Sequence, residues 1–159
     1  MEGRRPRSGD GTLLCPAQLP GASHALATND LIGINLIDAV FVTDEAQKSR
    51  LLLEAQLLRA QQQAEAAADK LVEAALIEER LRERCFTMGL REKAFVHGFS
   101  AASCWAQAGD FHHAIGICQD LLARADLPAR LRHQVAAYVK TLCARRAQWY
   151  EELVVHEGE

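Results

Sequence analysis

The stretch from Phe95 to Pro128, FVHGFSAASCWAQAGDFHHAIGICQDLLARADLP, decides how the whole chain is read. Phe95, Phe99, Ala102 and Trp105 or Ala106 recur at steps of three and four, which puts them on one side of a helix running from Glu92 to Ala108. Gly109-Asp110 then breaks the pattern with a tight turn, and Asp110 is suited to cap a second helix. That helix, His112 to Arg124, carries Ala114, Ile115, Cys118, Leu121 and Leu122 as its apolar stripe. Two amphipathic helices joined by so short a turn have to lie antiparallel and share their apolar faces.

Beyond this hairpin, Pro128 suits the first turn of a further helix, where its missing N–H costs nothing. Leu131, Val135, Tyr138, Val139 and Leu142 form its inward stripe, and Trp149 to Val155 reads as a short closing helix before the acidic Glu157-Gly158-Glu159. On the other side, Gly89 ends a region in which no Gly or Pro occurs from Thr43 to Met88. Thr43, followed by Asp44 and Glu45, is read as the N-cap of that region. Leu53, Leu57, Ala60, Ala64, Ala67, Leu71, Ala74, Leu81 and Cys85 follow a heptad rhythm there, interrupted where Glu78 takes a slot. Two readings fit: one long helix with a coiled-coil seam over residues 53–85, or an antiparallel pair turning between Gln61 and Glu65. Upstream, Thr28 or Asn29 opens a helix through Leu31, Ile34, Ile37 and Val40; a strand over Ile34 to Val42 is the rival reading, disfavoured because no other strand exists to pair with it. Residues 1–27, with Gly3, Pro6, Gly9, Gly11, Pro16, Pro20 and Gly21, read as a flexible leader. The expected organisation is therefore a leader over 1–27, N-terminal helices over 28–91 and helical pairs over 92–156, an all-α fold.

Composition agrees. The 159 residues suit one domain, and 49% apolar with 25% charged side chains excludes wholesale disorder. Abundant Ala and Leu with few aromatics favour helices over sheets. Eighteen Lys and Arg against 21 Asp and Glu give a net charge of −3, which argues against nucleic acid as a partner. Cys15, Cys85, Cys104, Cys118 and Cys143 are an odd set without close pairs, the usage of a reducing compartment. The opening residues are not those of a secretory signal, and the longest uncharged run, Ala94 to Ala108, is too short and polar to span a bilayer. A cytoplasmic location without membrane partners is the expectation.

The segment Phe95 to Pro128 resembles a single tetratricopeptide repeat, the helix–turn–helix unit that recurs at 34 residues. Ala102, Trp105, the turn Gly109-Asp110-Phe111 and Ala114-Ile115 carry the resemblance. Ala102 and Ala114 fall where that family keeps small residues so that two helices cross closely. Residues 128–155 make a degenerate second unit, with Ala147-Gln148-Trp149 in place of the turn. The sequence departs from the family at Gly98, where a Trp is usual, at Cys118, where an aromatic is usual, and at Leu121, where a small residue is usual. The resemblance implies a short stack of helical pairs whose first helices line a surface that receives a peptide or helix of another protein. The implied groove residues are Val96, Phe99, Ser103, Ala106 and Gln107.

Catalytic and metal chemistry find little support. Along the helix His113 pairs with Ile117 and His112 with Ile115 and Gly116, so neither finds a ligand-type partner there, and neither His-Glu-x-x-His nor Cys-x-x-Cys occurs. Cys104 with His97 or His133 would be the one thinkable thiol–imidazole pair, without any local signature. Arg124, Arg130, Arg132, Lys140, Arg145 and Arg146 against Asp126 alone make residues 123–149 basic; Arg132 and Lys140 there are candidates to meet an acidic partner segment, and a solvated face balancing the Glu-rich residues 65–83 is the simpler reading. The expected function is a non-enzymatic interaction module that needs no cofactor or metal, binding another protein or its own copy. The alternative is a homo-oligomer built on the 53–85 seam.

Overall fold

The computed structural model describes residues 28–156, and the leader expected over 1–27 and the acidic residues 157–159 lie outside them. Five helices follow one another: α1 Thr28–Ala60, α2 Ala64–Thr87, α3 Arg91–Ala108, α4 Phe111–Ala123 and α5 Ala129–His156. No strand occurs among the described residues, so the run Ile34 to Val42 is helical as preferred. None of these helices is long and apolar enough to cross a membrane.

Each helix packs most heavily on its neighbours in sequence, α1 on α2, α2 on α3, α3 on α4 and α4 on α5. This is an all-α stacked array. Side chains also join alternate helices: Phe41 of α1 meets the His97 ring of α3 edge-on at 6.0 Å, and Phe99 of α3 meets Tyr138 of α5 edge-on at 5.3 Å. α1, α3 and α5 therefore stand side by side. The core runs without a break from Leu51 to Leu142, so the boundary expected near residue 91 does not divide it. Phe95, Leu81, Leu121, Leu142 and Val135 are its largest fully buried side chains. Ala102 and Ala114, one on each of two packed helices, have no exposed surface.

The turns explain where the helices stop. At the end of α1 the Gln63 N–H bonds to Leu58 O at 2.9 Å and the Gln62 N–H to Arg59 O at 3.0 Å. Gln62 itself has φ +62°. This is a Schellman motif with glutamine in the left-handed position, which costs roughly 1 kcal/mol relative to glycine. α2 and α3 end in the same way, with Gly89 at φ +74° and Gly109 at φ +96°. Asp110 caps α4 as expected, its Oδ1 accepting from the His113 N–H at 2.9 Å.

Three readings of the sequence are corrected here. Thr43 caps nothing: it lies inside α1 and its hydroxyl donates to Ala39 O at 2.8 Å, because the apolar run before it continues the helix. The heptad rhythm over 53–85 is not one seam, since the turn at Gln61–Gln63 folds it back on itself. Leu53 and Leu57 are left exposed while Ala67, Leu71, Ala74, Leu81 and Cys85 are buried within the chain. Finally, Ala147-Gln148-Trp149 is not a turn, and residues 149–155 are the continuation of α5.

Candidate functional site

α3 lies between α1 and α5, and its one open side is narrow. Val96 is 56% exposed there, Gln107 is exposed, and Ser100 and Ser103 are half-buried. At the 3.6-residue period these four share one side of the helix. The α1 edge is fixed at both ends of α3. Arg59 donates to the Gln107 side chain at 3.0 Å and to its backbone carbonyl at 2.8 Å, and Glu45 lies 3.4 Å from His97 Nε2. The α5 edge is fixed by Phe99 and Tyr138. Burial raises the Tyr138 hydroxyl above its ordinary pKa, with a hydrogen bond to Ser103 opposing the shift. The result is an uncharged strip of Val96, Ser100, Ser103 and Gln107 between the α1 and α5 contacts, the floor of any channel there.

Of the residues named from sequence, Val96, Ser103 and Gln107 come together on this floor. Phe99 is drawn off to Tyr138, and Ala106 is buried, so neither offers a free surface. Arg132 is spent elsewhere: its guanidinium donates to Leu122 O and Arg124 O, closing the end of α4. Lys140 is exposed, on a different side of α5 from Tyr138. The basic segment does not balance the Glu-rich one. Arg124 pairs with Asp126 and lies 4.6 Å above the Phe86 ring, and Arg145 lies 5.3 Å above Phe111. The described acids of residues 65–83 that form ion pairs find them on α1, α2, α3 and α4 instead.

Beneath the channel is a polar staple. The Glu78 carboxylate, 3% exposed, receives His97 Nδ1 at 2.6 Å and faces Lys48 Nζ at 3.5 Å. Lys48 is also 2.6 Å from Glu45. Burial lowers the Lys48 pKa, but the hydrogen bond to Glu45 and the charge of Glu78 outweigh it and hold the ammonium above its usual value. Four residues of α1, α2 and α3 thus form one polar group. A second such group joins α2, α3 and α4: Trp105 Nε1 donates to Glu79 at 2.6 Å, and His113 stacks on Trp105 at 4.2 Å while lying 3.4 Å from Glu79. A search for partners three or four residues away on one helix misses Glu79, which comes from another helix.

The buried thiols are not poised for chemistry. Burial pushes Cys104 and Cys118 up to about 11, and both ring nitrogens of His97 already face carboxylates. Among the described residues no three His, Cys, Asp or Glu side chains are grouped to hold a metal ion. At pH 8, native Cys104 and Cys118 should react with iodoacetamide on the order of a hundredfold more slowly than half-buried Cys143, read by mass spectrometry of the labelled peptides. Equal rates at the three would mean the thiols are reached in the folded chain.

No protein-family model matches this chain, and comparison with curated proteins and with solved structures gives no match.

Proposed function

We propose that this chain is a tetratricopeptide-like, non-enzymatic docking module that receives a peptide or helix of another protein in the channel floored by α3. The observation that carries the reading is Val96. It is a β-branched apolar side chain held 56% exposed on a helix whose other apolar side chains are buried or half-buried. Beside it lie the Ser100 and Ser103 hydroxyls and the Gln107 amide, whose oxygen accepts from Arg59 and whose nitrogen donates to Ser103. Such a floor suits a segment with a small apolar side chain and polar groups that accept and donate hydrogen bonds. The walls are pre-formed by the Arg59–Gln107 and Phe99–Tyr138 contacts, which lowers the ordering cost of binding. The raised thiols support a role without catalysis, and the unpaired cysteines a reducing, cytoplasmic setting.

Panning a random peptide library displayed on phage against the full chain tests this. Selected peptides should bind with micromolar affinity, and Val96→Asp should weaken them at least tenfold without changing the melting temperature. If Val96→Asp binds the same peptides equally well, or if no peptide is enriched, the channel is not the docking site.

A further inference from the structure

In a stacked array each helix touches its neighbours, and the terminal helices need a polar outer side to stay soluble. α5 meets that need over its first half, exposing His133, Gln134, Lys140 and Thr141, and leaves Trp149, Tyr150 and residues 153–155 exposed near its end. α1 does not meet it along its middle. Its exposed side carries Ala39, Val42, Ala46, Leu53, Leu57 and Ala60, with Val42 and Leu53 each 66% and Leu57 60% exposed. Steps of three, four and seven keep all six on one face of the helix. Ser49 and Arg50 sit at its centre and are exposed as well.

The order of these residues is symmetric about the point between Ser49 and Arg50. Reading outward, Ala46 matches Leu53, Val42 matches Leu57, and Ala39 matches Ala60. A two-fold axis perpendicular to a pair of antiparallel helices produces this matching, because it places each residue opposite its mirror position in the other copy. It sets Leu53 against Ala46 and Leu57 against Val42, so large side chains face smaller ones along about 31 Å of helix. Thr43 and Gln56, also exposed, match across the same point as a polar pair at the rim. Arg50 is the one formal charge on the face, and Glu54 holds it at 3.6 Å within the same chain. No bare charge has to be buried. A specific interface needs about 1,000 Å² in total, roughly 500 Å² from each copy, which sets what this face has to bury.

We infer that a second copy of this chain covers the outer face of α1, forming an antiparallel homodimer about an axis at Ser49 and Arg50. The pairing is separate from the α3 channel and does not depend on what that channel binds.

Sedimentation of the full chain over about 1–100 µM tests the association, on the scale expected for an interface of this size. The wild type should approach twice the 17.5 kDa chain mass. Leu53→Glu should stay monomeric over the same range with nearly unchanged helicity and melting temperature, because residue 53 is 66% exposed within its own chain. A wild type that is monomeric throughout, or a Leu53→Glu variant that dimerises as well as the wild type, overturns the inference. Orientation is read with single cysteines placed in a chain whose Cys15 and Cys143 are serine. Ser49→Cys should form an intermolecular disulfide on mild oxidation, whereas Ala60→Cys, about 31 Å from its own counterpart, should not. Efficient cross-linking at residue 60 would mean a parallel pair and would also overturn it.

Discussion

Glu78→Ala is expected to destabilise the folded chain by about 3–5 kcal/mol, the usual cost of removing one partner from a buried ion pair. In a chain of this length that lowers the melting temperature by roughly 10 °C. The carboxylate touches both His97 and Lys48, as Glu45 does from α1, and it alone does so from α2, toward α3 and α1. Without it, His97 keeps only the more distant Glu45 contact at 3.4 Å, and Lys48 loses one of its two carboxylates. The methyl group left behind adds an empty volume among three helices. A comparison separates the pair's net worth from the cost of orphaning its members: Glu78→Leu combined with His97→Leu should lose less than Glu78→Ala alone, since it leaves only Lys48, which still has Glu45, to be satisfied. Guanidinium denaturation of the three proteins at pH 7 reads both numbers. A loss below about 1 kcal/mol for Glu78→Ala would mean that water reaches the cluster and that the helices are held by apolar contacts alone.

The position of Glu78 also shows how the sequence spoke and where it was silent. In the heptad rhythm over 53–85 it reads as an interruption, and that break in pattern marks the buried polar staple. What no local pattern could supply is the identity of its partners, because His97 and Lys48 lie 19 and 30 residues away and meet it only once the stacking order is known. Elements set by near neighbours were legible. Gly109-Asp110 ends one helix and caps the next, and the 3.6-residue stripes bury Phe95, Ala102 and Trp105 of α3 and Ala114, Ile115, Cys118 and Leu121 of α4, with Phe99 and Leu122 half-buried and Ile117 buried beyond the expected stripe. The turn at Gln61–Gln63 was one of two readings, since a glutamine at φ +62° carries no signal comparable to glycine; the contacts around it, and not local preference, hold it there. The floor of the channel was half legible for the same reason. Val96, Ser103 and Gln107 follow from the period of α3 alone, whereas the loss of Phe99 to Tyr138 and of Arg132 to the α4 carbonyls depends on where α5 lies.

The two departures at Gly98 and Leu121 make a single physical exchange, and a double-mutant cycle should reveal it. A Cβ placed on Gly98 would sit 3.2 Å from Leu121 Cδ2 and 3.1 Å from Arg82 Cδ, so the leucine of α4 occupies the space that a larger residue on α3 would fill. Leu121 is fully buried by this contact and its neighbours. Leu121→Ala should therefore cost about 2–5 kcal/mol through lost burial and the cavity left behind. Gly98→Leu should cost about 3 kcal/mol by overpacking, even though a non-glycine residue in mid-helix recovers part of the backbone entropy that glycine loses. Carrying both changes returns the volume to the pair with its donor and acceptor reversed. The double variant should then lose at least about 2 kcal/mol less than the sum of the singles. Strict additivity would show that Gly98 and Leu121 do not share one space, and that the close approach of α3 and α4 rests on Ala102 and Ala114 alone.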